Sequence, residues 1–112
     1  FQTYRADRES TRDQEMLYYD AIISSESSSD EAVKNAEEGK LNLIDQMEKE
    51  LVVEGLIKAK GFVDCVVTIS DSNINAIVKA TKLTSNEVAQ IVSIIQSQLS
   101  ASIENNKIIP VE

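Results

Sequence analysis

The 112-residue chain contains no histidine and no tryptophan, and it has only one cysteine, one proline and three glycines. Without histidine, it lacks the usual general base at neutral pH and a nitrogen ligand for zinc. The three glycines are too far apart in the sequence to form a phosphate-binding loop. These absences argue against Ser-His-Asp triads and common nucleotide sites, so we expect no enzyme activity, no cofactor and no metal.

The single cysteine and the short apolar runs argue against an internal disulfide and a membrane-spanning helix. Cys65 cannot form a disulfide within the chain, and its place in an apolar strand pattern predicts a buried side chain. No run approaches the roughly 18 apolar residues that a membrane-spanning helix needs, and no basic-then-apolar leader is present. Since the chain starts at Phe1 and not at a methionine, we expect a fragment whose upstream part is missing.

Because its formal net charge is −8, the chain should repel negatively charged partners. No basic stripe is present for nucleic acid or for an anionic lipid surface. The abundant carboxylates are spread along helical segments, where we expect them to be solvated. An αββα order also occurs in KH RNA-binding domains, but the chain has no G-x-x-G loop between two helices. We therefore expect that the chain does not bind nucleic acid.

The first part of the chain is predicted to be an exposed helix followed by a serine-rich break. Residues 4–23 contain no glycine or proline, and apolar side chains gather only in their second half. Such a helix has no continuous apolar stripe, so we expect a spacer whose apolar end docks on another surface. The serine-rich residues 24–29 end it. We divide the chain into an N-terminal spacer, residues 1–29, and an α/β domain, residues 30–112.

A second helix is predicted from about residue 30 to residue 60. Ser28 and Glu31 have the spacing of a capping box at its start, and Gly61 marks its end. We expect an interruption near Gly39, because glycine weakens a helix. Apolar residues lie on two opposite sides, so one side covers the sheet and the other contacts the first helix or another molecule. Gly55 favours close approach of its own side to the sheet. That side comprises Leu41, Ile44, Leu51, Val52, Gly55 and Ala59, and the opposite side comprises Leu43, Val53 and Ile57.

After Gly61 the apolar period changes from 3.6 to 2, which predicts a β-hairpin with a polar turn at residues 71–73. Helices on one side of such a sheet leave the other face open to water, and Val66 and Ile77 lie on that face. Thr84 and Glu87 then form a capping box before a helix with a single apolar stripe. A turn at residues 105–106 and a short strand with Pro110, expected at a sheet edge, end the chain. The predicted fold is α+β: an N-terminal helix, then αββαβ with two helices on one face of a three-stranded sheet.

Several stretches resemble the stage III sporulation protein AH family of endospore-forming bacteria. They are the run KELVVEGLIKAKGF (residues 49–62), the hydrophobic strand with its acidic turn, and the helix start LTSNEVAQIV (residues 83–92). The resemblance covers nearly the whole chain and is weakest in the tail, residues 103–111. It implies the ring-building motif, a fold similar to that of type III secretion and flagellar ring proteins.

The resemblance also implies a function and a location. It indicates a protein anchored in the mother-cell membrane by a segment upstream of Phe1, with this domain in the space between the two membranes around the forespore. There it would bind the LytM-like domain of the forespore protein SpoIIQ in a zipper-like connection and form a homo-oligomeric ring around a channel.

The resemblance provides no catalytic residues and no partner contacts position by position. Our interface candidates therefore rest on physical grounds, and tyrosine is enriched at interfaces. They are Tyr18, Tyr19, Val53 and Ile57 on the helices, and Val66 and Ile77 on the open sheet face. A second hypothesis stays open, namely a soluble regulatory or small-ligand-binding α/β domain. A hydrophobic span directly before Phe1 would favour the membrane-anchored assembly module over this second hypothesis.

Overall fold

The structure, a computed structural model, describes residues 1–70, 73–99 and 106–112. The predicted turn residues 71, 72 and 105 lie outside this range. The described elements confirm the α+β order, and they form two compact units, Gln2–Gln46 and Met47–Glu112 with Phe1. The division at residues 29 and 30 stays a prediction. The elements are α1 (Gln2–Ser24), α2 (Asp30–Ala59), β1 (Cys65–Ile69), β2 (Ile74–Lys79), α3 (Ser85–Gln98) and β3 (Asn106–Val111).

The three strands form one sheet in the order β1-β2-β3, so β1 and β3 are its edges. β1 and β2 are antiparallel, with Val66 opposite Ile77, and β3 runs parallel to β2. The Ala80 N–H donates to the Val111 carbonyl, and the alternation of the ladder then turns the Pro110 nitrogen toward the open edge. A residue without an N–H loses no ladder bond there, and the edge position expected for this strand is confirmed.

The core of the second unit lies between the sheet and two helices. One face of β1 and β2 packs against Val53 and Ile57 of α2 and against three isoleucines of α3 in a single cluster. Both helices therefore cover the same face of the sheet, as expected. Each fully buried aliphatic side chain contributes roughly 1.5–3 kcal/mol. The buried members are Val53, Ile57, Cys65, Val67, Ile69, Ile74, Ala76, Val78, Ile91, Ile94 and Ile95.

α2 is one continuous helix of 30 residues. Its start is capped by Ser29, whose Oγ accepts a hydrogen bond from the Ala32 N–H at 3.1 Å. The predicted capping box at Ser28 and Glu31 is therefore wrong by one residue. At the other end, Gly61 has a φ of 105°, the left-handed backbone that commonly follows a helix. The predicted end of the helix is confirmed.

The first unit pairs α1 with the first half of α2. Lys40 Nζ donates to Asp20 Oδ1 at 2.6 Å across this pair. A Cβ atom placed on Gly39 would lie 2.6 Å from the ring of Tyr19. The helix is not interrupted at Gly39, so that expectation is wrong. The glycine instead gives the tyrosine ring of α1 room against α2.

α3 begins with the predicted capping box. Thr84 Oγ1 accepts from the Glu87 N–H at 3.1 Å, and Glu87 Oε1 accepts from the Thr84 N–H at 2.9 Å. Leu83, the residue before the cap, packs against the core cluster. Two orphan N–H groups of the helix start are satisfied reciprocally, and the entry of the chain into α3 is fixed.

Replacement of Thr84 by alanine tests this cap. Thr84→Ala should lower the free energy of unfolding by about 1 kcal/mol, because the Glu87 N–H loses its acceptor. Urea denaturation followed by circular dichroism measures the change. The matched control is Thr81→Ala, an exposed threonine outside the helix, for which we expect a change below about 0.5 kcal/mol. Equal losses for the two variants would contradict the capping role.

The fit of Tyr19 against Gly39 predicts an effect that reverses with background. Gly39→Ala should destabilise the wild-type chain by up to about 2 kcal/mol, because overpacking outweighs the gain in helix propensity. In a Tyr19→Ala background the same change should stabilise by about 1 kcal/mol. Gly55→Ala is the control, since nothing lies within 4 Å of a Cβ there, and it should stabilise both backgrounds. Thermal unfolding of these variants measures the changes in stability. If Gly39→Ala changed the stability in the same direction in both backgrounds, the close fit of Tyr19 against Gly39 would be refuted.

Candidate interaction surfaces

The inner face of α2 is formed by residues at helical spacings of i, i+3, i+4 and i+7. Val53 and Ile57 on this face are fully buried in the core. They were interface candidates, and Gly55 was expected to face the sheet instead. The helix is turned the other way, so Val53 and Ile57 cover the sheet and present no surface to a partner. The reason lies in the two remaining residues of the face, Glu50 and Glu54.

Glu50 and Glu54 are buried, with 2% and 5% of their surface exposed. A carboxylate oxygen of Glu54 accepts from the Val67 N–H at 2.8 Å, and one of Glu50 accepts from the Ile69 N–H at 2.7 Å. The helix is thereby hydrogen-bonded to the outer edge of β1. The expectation that these carboxylates are solvated is wrong. Their helical spacing with Val53 and Ile57 was the one signal in the sequence that could have identified them.

The opposite side of α2 is an exposed apolar surface. Leu51, Val52 and Leu56 are 63%, 47% and 38% exposed. Gly55 and Ala59 lie between them and are exposed as well. We call these five residues the α2 outer surface. A Cβ atom on Gly55 would meet nothing within 4 Å. No described residue therefore packs against this part of the surface.

The open face of the sheet carries a row of three aliphatic residues in register across the strands. Val66 lies opposite Ile77, and Ile77 lies beside Ile109. Exposure increases along the row: Val66 is 2% exposed, Ile77 is half-buried, and Ile109 is 46% exposed. The expectation that Val66 meets water is wrong, since its side chain is buried although β1 is an edge strand. Ile77 and Ile109 are the accessible members.

The two tyrosine candidates differ in exposure. Tyr18 is 65% exposed, and its ring meets the Tyr19 ring edge to face with centroids 5.7 Å apart. Tyr19 is half-buried against Gly39. Tyr18 and the neighbouring Leu17, which is 67% exposed, are thus accessible apolar residues of α1.

The described residues offer little for chemistry. Cys65 is buried as predicted, with its Sγ 3.6 Å from the Glu54 carbonyl oxygen. Residues 1–70, 73–99 and 106–112 contain no group of three or more His, Cys, Asp or Glu side chains that could hold a metal. A groove of about 550 Å³ runs beside α3, and Lys60 is the only titratable group among the described residues lining it. In the same part of the chain, no helix has both the length and the apolarity to cross a membrane.

Known proteins resemble this chain in both sequence and fold. The family model described as SpoIIIAH-like protein matches residues 1–108. Stage III sporulation protein AH of Bacillus subtilis (strain 168) is 29% identical over 100 residues, which are 88% of this chain and 45% of that protein. The chain thus spans about half the length of this curated relative. A solved structure, that of the SpoIIQ-SpoIIIAH pore forming complex, contains a chain with a TM-score of 0.83 and 26% identity, covering 99% of this chain and 97% of that one.

Proposed function

The chain belongs to the SpoIIIAH-like protein family, and we propose that it is a non-catalytic assembly module of an intercellular sporulation channel. Its partner is the LytM-like domain of a SpoIIQ-type forespore protein. The observation that carries this proposal is the likeness of nearly the whole chain, in fold and in sequence, to a chain of the SpoIIQ-SpoIIIAH complex.

The location and the assembly belong to the same proposal. The domain lies in the space between the two membranes around the forespore, and a segment outside this chain anchors it in the mother-cell membrane. Copies of the domain associate into a ring. The αββαβ arrangement expected for a ring-building motif supports this, as does the accessible pair Ile77 and Ile109 on the sheet face.

The α2 outer surface is our proposed contact for the SpoIIQ-type partner. Its three large aliphatic side chains are exposed on one helix, and apolar groups grouped in this way are typical of interaction sites. Gly55 within it costs about 1 kcal/mol of helix stability, while nothing in its surroundings requires a glycine. A partner backbone that approaches closely at Gly55 accounts for that cost.

A charge on the α2 outer surface should weaken partner binding without unfolding the chain. Leu51→Glu introduces a good helix former at an exposed position, so the stability should change by less than about 0.5 kcal/mol. We expect affinity for the LytM-like domain to fall roughly 30-fold, the loss of a hot-spot contact of about 2 kcal/mol. Isothermal titration calorimetry measures the affinity, and light scattering after size-exclusion chromatography establishes whether the wild-type complex is 1:1.

Matched variants separate the alternative surfaces. Leu17→Glu charges a leucine of similar exposure on α1, and Ile77→Asp charges the sheet face; both should bind the partner as the wild type does. Loss of binding for Leu17→Glu or for Tyr18→Ala, with Leu51→Glu unaffected, would move the interface to α1. A wild-type chain that does not bind the LytM-like domain would contradict the proposed function itself.

A further inference from the structure

The outer edge of β1 has no strand beside it, yet its N–H groups are hydrogen-bonded. β1 is an edge strand in the order β1-β2-β3. The Lys79 N–H donates to the Asp64 carbonyl and the Ser70 N–H donates to the Asn73 carbonyl. In the alternation of an antiparallel pair, the N–H groups of residues 65, 67 and 69 then point away from β2, toward the free edge.

Each of these three outward N–H groups donates to a carboxylate. The Cys65 N–H donates to Oδ1 of Asp64 at 2.8 Å. The Val67 and Ile69 N–H groups donate to Glu54 and Glu50 at 2.8 and 2.7 Å. These distances lie at the short end of the range of N–H···O hydrogen bonds. The two glutamates are one helical turn apart on α2. Their carboxylate oxygens can therefore accept from N–H groups that are two residues apart on the strand.

The composition of β1 would let it pair readily with another strand if its outer edge were exposed. β1 reads Cys-Val-Val-Thr-Ile, with no charge, no proline and no glycine. Exposed edges of such composition recruit further strands, and proteins usually protect them with charged residues, proline or a covering element. Here the two glutamates, 2% and 5% exposed, fill the positions that a fourth strand would occupy.

We propose that Glu50 and Glu54 determine which edge of the sheet can assemble, by closing β1 against strand addition from a second copy of this chain. Any assembly of the sheet through its edges is thereby directed to β3. That edge is protected only in part, since Pro110 removes one outward N–H while Ile108 keeps its own on the same side. This inference concerns the free chain and does not rest on the proposed partner.

The test compares two double variants of the whole chain. Glu50→Ala with Glu54→Ala removes both acceptors. Glu50→Gln with Glu54→Gln keeps an acceptor oxygen at each position and is the matched control. Light scattering over a concentration series gives the oligomeric state, and circular dichroism confirms folding. We expect the alanine variant to self-associate at least about tenfold more tightly than the wild type. The glutamine variant should match the wild type.

Amide hydrogen exchange identifies the surface used. In the associated alanine variant, the Val67 and Ile69 amides should exchange quickly when dilute and slowly when concentrated. If the double alanine variant does not fold, Glu50→Ala alone uncovers the end of β1 and is measured against Glu50→Gln by the same criterion. A folded alanine variant that associates no more than the wild type would overturn the proposal. So would association that leaves the Val67 and Ile69 amides equally exchangeable at all concentrations.

Discussion

Two hydrogen bonds between a helix and a strand edge determine how this domain is built. Glu50 and Glu54 accept from the outward N–H groups of β1, and they can do so only if their side of α2 faces the sheet. Val53 and Ile57 lie on that same side and are therefore the residues that enter the core. An apolar residue in place of either glutamate would leave a buried N–H without an acceptor, at about 1–3 kcal/mol each. The rotation of α2 about its axis thus follows from polar satisfaction as much as from apolar burial.

The same constraint creates the surfaces that matter for assembly. With its glutamate side against the sheet, α2 turns Leu51, Val52 and Leu56 outward. The surface that we propose for partner binding thus lies opposite the two glutamates on the same helix. The membership in the SpoIIIAH-like family agrees with an assembly role. In our account, one side of α2 closes the sheet and the other side recruits the partner.

Local signals in the sequence predicted most of the fold but not the orientation of α2. The capping box at Thr84, the stop at Gly61 and the edge position of Pro110 each depend on neighbouring residues, and all three are confirmed. Val53 and Ile57 were assigned to the surface because a helix with two apolar sides gives no local indication of which side is buried. That choice depends on Glu50 and Glu54, whose N–H donors lie 19 and 13 positions further along the chain, respectively. The spacing of the two glutamates with Val53 and Ile57 places all four on one side of the helix, but it does not show which strand N–H groups they bind.

Amide hydrogen exchange on the unmodified chain tests whether Glu50 and Glu54 cover the outer edge of β1. Outward N–H groups of an uncovered edge strand exchange rapidly, because only water accepts from them. We predict that the Val67 and Ile69 amides exchange as slowly as those of Val66 and Thr68, which point toward β2. Rapid exchange at Val67 and Ile69, with Val66 and Thr68 protected, would show that the two glutamates do not bind the edge. The proposed closure of β1, and the part that the two glutamates have in orienting α2, would then be wrong.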